Sequence, residues 1–138
     1  MIIKQISVFL ENISGRLAEV TRILADNKIN LRALTIADTA DFGILRIIAV
    51  KPDEAVRILT QAGFMAKETD VLAVEVEDKP GALAAVLDIF SKNSINIEYM
   101  YASLERSADK AVIVIKVEDV ERGIKVVEAN GLKPISAF

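Results

Sequence analysis

The sequence predicts an α+β protein made of two β-α-β-β-α-β modules in tandem, residues 1–69 and 70–138. Three observations predict it. The chain repeats itself: shifted by 66 residues without a gap, Ile6 meets Leu72, Val8 meets Val74, Gly15 meets Gly81, Leu17 meets Leu83 and Asn30 meets Asn96. Hydrophobic residues alternate between a period of two and a helical period in the same order in both copies. Glycine and short polar runs punctuate both copies at matched places.

The elements follow in order. Ile2–Glu11 alternates, with Ile6, Val8 and Leu10 on one face and Ser7, Phe9 and Glu11 on the other, as in a strand covered on one side. Asn12-Ile13-Ser14-Gly15 is a turn, after which Leu17, Val20, Ile23 and Leu24 recur at helical spacing to Asn27. Leu31–Ala37 is a second strand. Asp38-Thr39-Ala40-Asp41 is a hairpin connection, and Ile44–Val50 a third strand. Pro52 opens a second helix, with Asp53 and Glu54 at its positive end, and Gly63 closes it. Met65–Thr69 is a short fourth strand. The second copy gives a strand over Val71–Val76, a helix over Ala82–Lys92 and strands over Ile97–Leu104 and Ala111–Val117. Its last helix reaches Asn130 before Gly131 and a tail strand, with Glu118, Asp119 and Glu121 marking the helix start. Past the hairpin the shift becomes 68, so the second hairpin is longer, and loops are where such insertions fall.

Each module is therefore ferredoxin-like: an antiparallel four-stranded sheet with two helices on one face. One sheet face stays bare and edges stay open. The two sheets are expected to pair into one extended sheet with the helices on one face.

Composition narrows the function. Cysteine and histidine are both absent, which removes disulfides, thiolate and imidazole metal ligands, and the commonest general base. We expect no metal, no cofactor and no catalytic residue. A net charge of −3 argues against nucleic acid as a partner. No apolar run approaches the roughly 20 residues needed to cross a bilayer, and Met1 leads directly into a strand without a signal-peptide pattern. The expected location is the cytoplasm.

The positions left to explain are the first turn and the Asn after the first helix. In copy one they are Asn12, Ser14, Gly15, Arg16 and Asn30; in copy two, Asp78, Pro80, Gly81 and Asn96. A strand turning through Gly into a helix leaves N–H groups free at the helix's positive end, where an anion such as a carboxylate is favoured. An Asn amide offers a donor and an acceptor, which suits a carboxylate and an ammonium side by side. The plainer alternative keeps the glycines as turn formers and the asparagines as turn caps. Tyr99 and Tyr101, alternating on one strand, fit either a pocket wall or sheet packing, and Arg46 fits either a solvated site on the open face or a carboxylate contact.

These residues resemble the ACT domain, a ligand-sensing module attached to many amino-acid-metabolism enzymes. Its pattern is a strand end, a turn near Pro-Gly followed by Leu, a helix, and an apolar-Asn-apolar start to the next strand. Asp78-Lys79-Pro80-Gly81-Ala82-Leu83 with Ile95-Asn96-Ile97 matches it. Glu11-Asn12-Ile13-Ser14-Gly15-Arg16-Leu17 with Ile29-Asn30-Leu31 matches with Ser14 in place of Pro. The resemblance implies a non-catalytic regulatory protein that binds a free amino acid in crevices where one module's first turn meets a partner's second strand. Carried over, Asn12, Gly15, Leu17 and Asn30 would belong to one crevice and Asp78, Gly81, Leu83 and Asn96 to the other. Ser14, Arg16, Pro80 and Ala82 flank the turns, and the backbone around Leu31 and Ile97 lines the crevices. Asp78 replaces Asn12 in the second copy, so the two sites are expected to differ. The implied partners are an amino-acid effector, a second copy in a homodimer, and an enzyme of amino-acid metabolism. The alternative is an accessory subunit that uses the modules only for assembly.

Overall fold

The computed structural model describes residues 1–104 and 109–138, so most of the lengthened second hairpin, where the two-residue insertion falls, lies outside the described residues. The element order is β1 (Ile3–Glu11), α1 (Arg16–Asp26), β2 (Leu31–Asp38), β3 (Phe42–Ala49), α2 (Pro52–Gln61), β4 (Met65–Glu77), α3 (Ala82–Lys92), β5 (Ile97–Ala102), β6 (Lys110–Val117), α4 (Val120–Ala129) and β7 (Lys133–Pro134). This is the twice-repeated β-α-β-β-α-β order that the sequence predicts. The chain divides into two compact units, Lys4–Thr69 and Asp70–Phe138 joined by Met1–Ile3.

One difference from the sequence reading concerns β4. The last strand of copy one and the first of copy two are a single 13-residue strand, Met65–Glu77. Glu68-Thr69-Asp70 contains no Gly or Pro to break an extended run, so the backbone continues. At the other extreme the tail strand shrinks to β7, two residues on the edge beside β4, where Pro134 needs no ladder N–H.

In the N-terminal unit the strands lie in the order β2-β3-β1-β4. β1 and β3 are antiparallel with Ile6 opposite Ile47 and Val8 opposite Leu45, which puts these four side chains on one face. That face is covered by α1 through Val20 and Leu24 and by α2 through Ala55, Ile58 and Leu59, and together they form the core. The C-terminal unit repeats the arrangement in the order β7-β4-β6-β5. Leu72, Val74, Ile113 and Ile115 face Val86 and Phe90 of α3 and Ile124 and Val127 of α4, and Ile2 joins this second core.

The helix ends obey local rules. Asp119 caps α4, its carboxylate accepting a hydrogen bond from the Arg122 N–H at 3.1 Å, as the acidic run at that point predicts. Gly63 (φ 92°) and Gly131 (φ 76°) close α2 and α4 in left-handed geometry.

Candidate functional site

The first turns of both copies are built alike. Gly15 has φ 93° and Gly81 φ 88°, and each stands immediately before its helix. A Cβ at either position would meet nothing within 4 Å, so glycine is required by the backbone angle and not by crowding. Neither helix start receives a side-chain cap. The Glu19 N–H bonds the Gly15 carbonyl and the Ala85 N–H the Gly81 carbonyl; ahead of these, the Leu17, Ala18, Leu83 and Ala84 N–H groups sit where the helix supplies no acceptor. Leu17 and Leu83 are both more than a third exposed. Each turn is tied to the neighbouring hairpin by one backbone bond, Asn12 N–H to Asp41 O at 2.9 Å and Asp78 N–H to Asp109 O at 2.8 Å.

Asn12 and Asp78 differ in what they do. The Asn12 amide donates to the Asp38 carboxylate at 3.3 Å, with longer contacts to the Thr39 and Ala40 carbonyls, so it braces its own hairpin. Arg16 is held by Glu19 and Glu11. In the second turn the corresponding positive charge comes from Lys79, paired with Glu77. The Lys79 ammonium donates a hydrogen bond to Glu77 and, through that bond and its charge, holds the carboxyl below its usual range. A depressed carboxyl favours the folded state above its unfolded pKa, and that contribution is lost as pH falls through the lower folded value. Lys79→Ala is expected to return the Glu77 titration to the ordinary carboxylate range; an NMR pH titration of the Glu77 carboxyl measures it, and an unmoved midpoint would refute the assignment.

Beside each turn runs a groove between the strand end, the helix start and the end of the second helix. In the N-terminal unit it is about 280 Å³ and includes Leu10, Arg16, Glu19, Gly63 and Phe64. In the C-terminal unit it is about 360 Å³ and includes the aligned Val76, Ala82, Ala85, Gly131 and Leu132.

The asparagines lie elsewhere. Asn30 precedes β2, where its backbone carbonyl accepts from Val50 N–H at 3.1 Å, beyond the far end of β3. The first turn meets Asp41, at the near end of β3. Nine residues of extended chain separate Asp41 from Val50, roughly 25–30 Å at the usual strand rise. Asn12, Gly15 and Leu17 therefore do not converge with Asn30 inside one module, nor do Asp78, Gly81 and Leu83 with Asn96. A crevice lined by both a turn and an Asn must draw them from different modules.

Asn30 and Asn96 share a local frame. Each follows a non-glycine residue in left-handed geometry, Lys28 (φ 59°) and Ser94 (φ 54°). Asn27 and Asn93 brace the two bends through side-chain bonds to the Ile23 and Ile89 carbonyls, both at 2.8 Å. A register shift follows each Asn, between Leu31 and Ala33 and between Ile97 and Tyr99, which makes Arg32 and Glu98 the extra residues. Bulges of this kind re-aim side chains, and they gather at functional sites. Both Asn side chains are exposed. Asn30 Oδ1 accepts from the Leu31 N–H at 3.0 Å, leaving its Nδ2 donors uncommitted among the described residues.

The surroundings of the two asparagines carry opposite charge, a signal the aligned repeat contains but that the sequence reading missed. Asn96 opens on a cleft of about 420 Å³ with Glu98, Glu118, Asp119 and Arg122. The aligned positions around Asn30 are Arg32, Val50, Lys51 and Glu54. Arg32 stands for Glu98, Lys51 for Asp119 and Glu54 for Arg122. Tyr99 is half-buried and Tyr101 buried on β5, opposite Lys116 and Val114, and neither lines the cleft. Among the described residues no group of three or more His, Cys, Asp or Glu is placed to hold a metal, and no helix is long and apolar enough to cross a membrane.

Comparison with known proteins identifies the family of the chain. The protein BT0572 from Bacteroides thetaiotaomicron is 43% identical, covers 98% of this chain and 92% of its own, and superposes with a TM-score of 0.91. The regulatory subunit of aspartate kinase from Thermus thermophilus shares the fold at a TM-score of 0.66, with 17% identity and 91% of each chain covered. An acetolactate synthase small subunit of Mycobacterium bovis is 40% identical over 57 residues, 40% of this chain and 34% of that protein. The chain thus aligns with about a third of the length of the curated relatives it matches. A family model described as an ACT domain pair matches residues 1–137, and the chain belongs to that family.

Proposed function

We propose that this ACT domain pair is a non-catalytic regulatory protein that binds a free amino acid, or a small effector of the same chemistry, and passes the signal to an enzyme of amino-acid metabolism. The observation that carries the reading is the uncapped, glycine-gated helix start that both copies keep, at Gly15 and Gly81. Two such starts offer N–H groups and a positive dipole end to a carboxylate. The exposed amides of Asn30 and Asn96, on their bulged strand starts, offer the complementary donor and acceptor. Because turn and Asn lie at opposite ends of a module, an effector would sit between modules and bind best when they are correctly paired. The charge reversal makes the two crevices unequal: the acidic surroundings of Asn96 favour an effector's ammonium end and the basic surroundings of Asn30 its carboxylate end. The small-subunit and regulatory-subunit relatives support a biosynthetic enzyme as the regulated partner.

A thermal-shift screen against the twenty common amino acids at millimolar concentration tests this, since a ligand that binds only the native state raises its melting temperature. At a concentration about a hundred times Kd the expected stabilisation is about 2.7 kcal/mol, a rise of several degrees. Asn30→Ala and Asn96→Ala are each expected to reduce it, and by different amounts. No shift with any amino acid would move the weight to a module that serves assembly alone.

A further inference from the structure

We propose that an apolar groove on the N-terminal sheet, on the face opposite its helices, binds a small neutral aromatic molecule. Phe9 on β1, Ala37 on β2, Phe42 and Ile44 on β3 and Met65 on β4 line a groove of about 540 Å³. That volume lies within the roughly 300–1,000 Å³ of small-molecule sites. Phe9 pairs with Ile44 on the side away from Val8 and Leu45, which face the helices. Phe9 is 42% exposed, Phe42 56% and Met65 71%.

The duplication supplies an internal comparison. The positions aligned with Phe9, Phe42 and Met65 are Glu75, Lys110 and Lys133. Glu75 and Lys110 form an ion pair at 3.4 Å. The fold is thus satisfied there by charged residues, and nothing in its own core calls for two phenylalanines and a methionine in water. Large apolar side chains gathered on one exposed face mark a binding surface.

The lining selects the chemistry of the ligand. The polar members of the groove are already engaged: Asp38 accepts from Asn12 at 3.3 Å, the Thr39 hydroxyl donates to the Phe42 carbonyl at 3.3 Å, and Arg46 has a partner of its own. A charged ligand would have to bring its charge against apolar walls, which is costly, so the ligand is neutral. Two phenyl rings and a thioether attract an aromatic ring beyond the area it buries. Three partly exposed side chains offer far less than the roughly 800 Å² per partner of a standard protein interface, and walls drawn from four strands suit a small molecule better. Met65, on an unbranched flexible stem, can fold over a bound ring.

Phe9, Phe42 and Met65 also border the groove beside the first turn, whereas Ala37 and Ile44 line the face groove and not that one. The methyl NMR signals of Ala37 and Ile44 in the full chain therefore report this site apart from the effector reading. Titration with 2-naphthol, neutral at pH 7, is expected to move both signals saturably. Decahydro-2-naphthol, the same skeleton without aromaticity, is expected to bind at least threefold more weakly. Phe42→Lys and Met65→Lys place the second copy's residues at exposed positions and are each expected to weaken 2-naphthol binding at least tenfold, while Lys110→Ala leaves it unchanged. Circular dichroism melting checks that the variants are folded. No saturable shift at Ala37 and Ile44 overturns the proposal, as does 2-naphthol binding that survives both lysine variants. Equal affinity for the saturated analogue overturns the aromatic class. Signals that move with protein concentration alone also overturn it, because a protein surface then fills the groove.

Discussion

Phe90→Ala is expected to destabilise the C-terminal unit by about 3–5 kcal/mol, the cost of deleting a fully enclosed aromatic ring and leaving its cavity. Phe90 is 1% exposed and is, among the described residues, the largest of the fully buried side chains. The repeat explains why the ring fits. Its aligned partner is Leu24, and the residue across from it, Gly123 on α4, aligns with Ala55. A Cβ on Gly123 would lie 3.7 Å from Phe90 Cε1, 2.8 Å from Leu72 Cδ2 and 3.2 Å from Val117 Cγ2. One copy fills the space with Leu and Ala, the other with Phe and Gly. Phe90→Leu should therefore cost much less than Phe90→Ala, and adding Gly123→Ala to Phe90→Leu should recover none of the loss, because the new Cβ is crowded by Leu72 and Val117, which stay in place. Chemical denaturation of the four proteins measures all three differences. A loss below about 1 kcal/mol for Phe90→Ala would show that the ring is not enclosed as described.

Gly81→Val is expected to cost roughly 1–3 kcal/mol and to abolish the effector response of its crevice. The cost is a matter of backbone angle alone, because φ is 88° and no atom lies within 4 Å of the missing Cβ. Gly81→Asn, which tolerates the left-handed region, should lose less than half as much. The same ordering is expected at Gly15. Melting curves of the Val and Asn variants, with and without effector, separate fold from function. Equal losses for Val and Asn would mean that something other than the positive φ governs the turn.

The internal repeat made the fold legible, because matched strands, turns and helices in both copies leave few topologies open. Gly15 and Gly81 were legible for the same reason: glycine at one aligned turn is common, and at both it signals a backbone requirement. The join at Thr69–Asp70 was legible in part: Glu68-Thr69-Asp70 carries no Gly, Pro or linker and runs almost directly from one strand into the next, but whether the two strands merge into one is set by whether their neighbours keep pairing. The bulges at Arg32 and Glu98 were not legible, since they carry no glycine or other marker. Asn12, Gly15 and Leu17 lie at the opposite end of β3 from Asn30, so the expected crevice, one module's first turn against a partner's second strand, needs two modules to form. The reversed charges around Asn30 and Asn96 were present in the aligned letters. They are not contiguous in the sequence, because each trio mixes residues from a strand with residues at a helix start, which only the fold brings to one end.

The bends at Lys28 and Ser94 have a consequence for the thermodynamics of recognition. Among the described residues, α2 and α4 end at a glycine, but α1 and α3, which lead to Asn30 and Asn96, turn instead through a lysine and a serine at positive φ. Such residues hold a costly angle only because neighbouring bonds, here from Asn27 and Asn93, fix it. A glycine there would relax the bend and widen the range of directions in which the asparagine points. With the bend fixed, the entropy of ordering the backbone ahead of the asparagine is lost during folding and not again at binding. For the effector proposed above, affinity would rest in part on stiffness two residues before the asparagine.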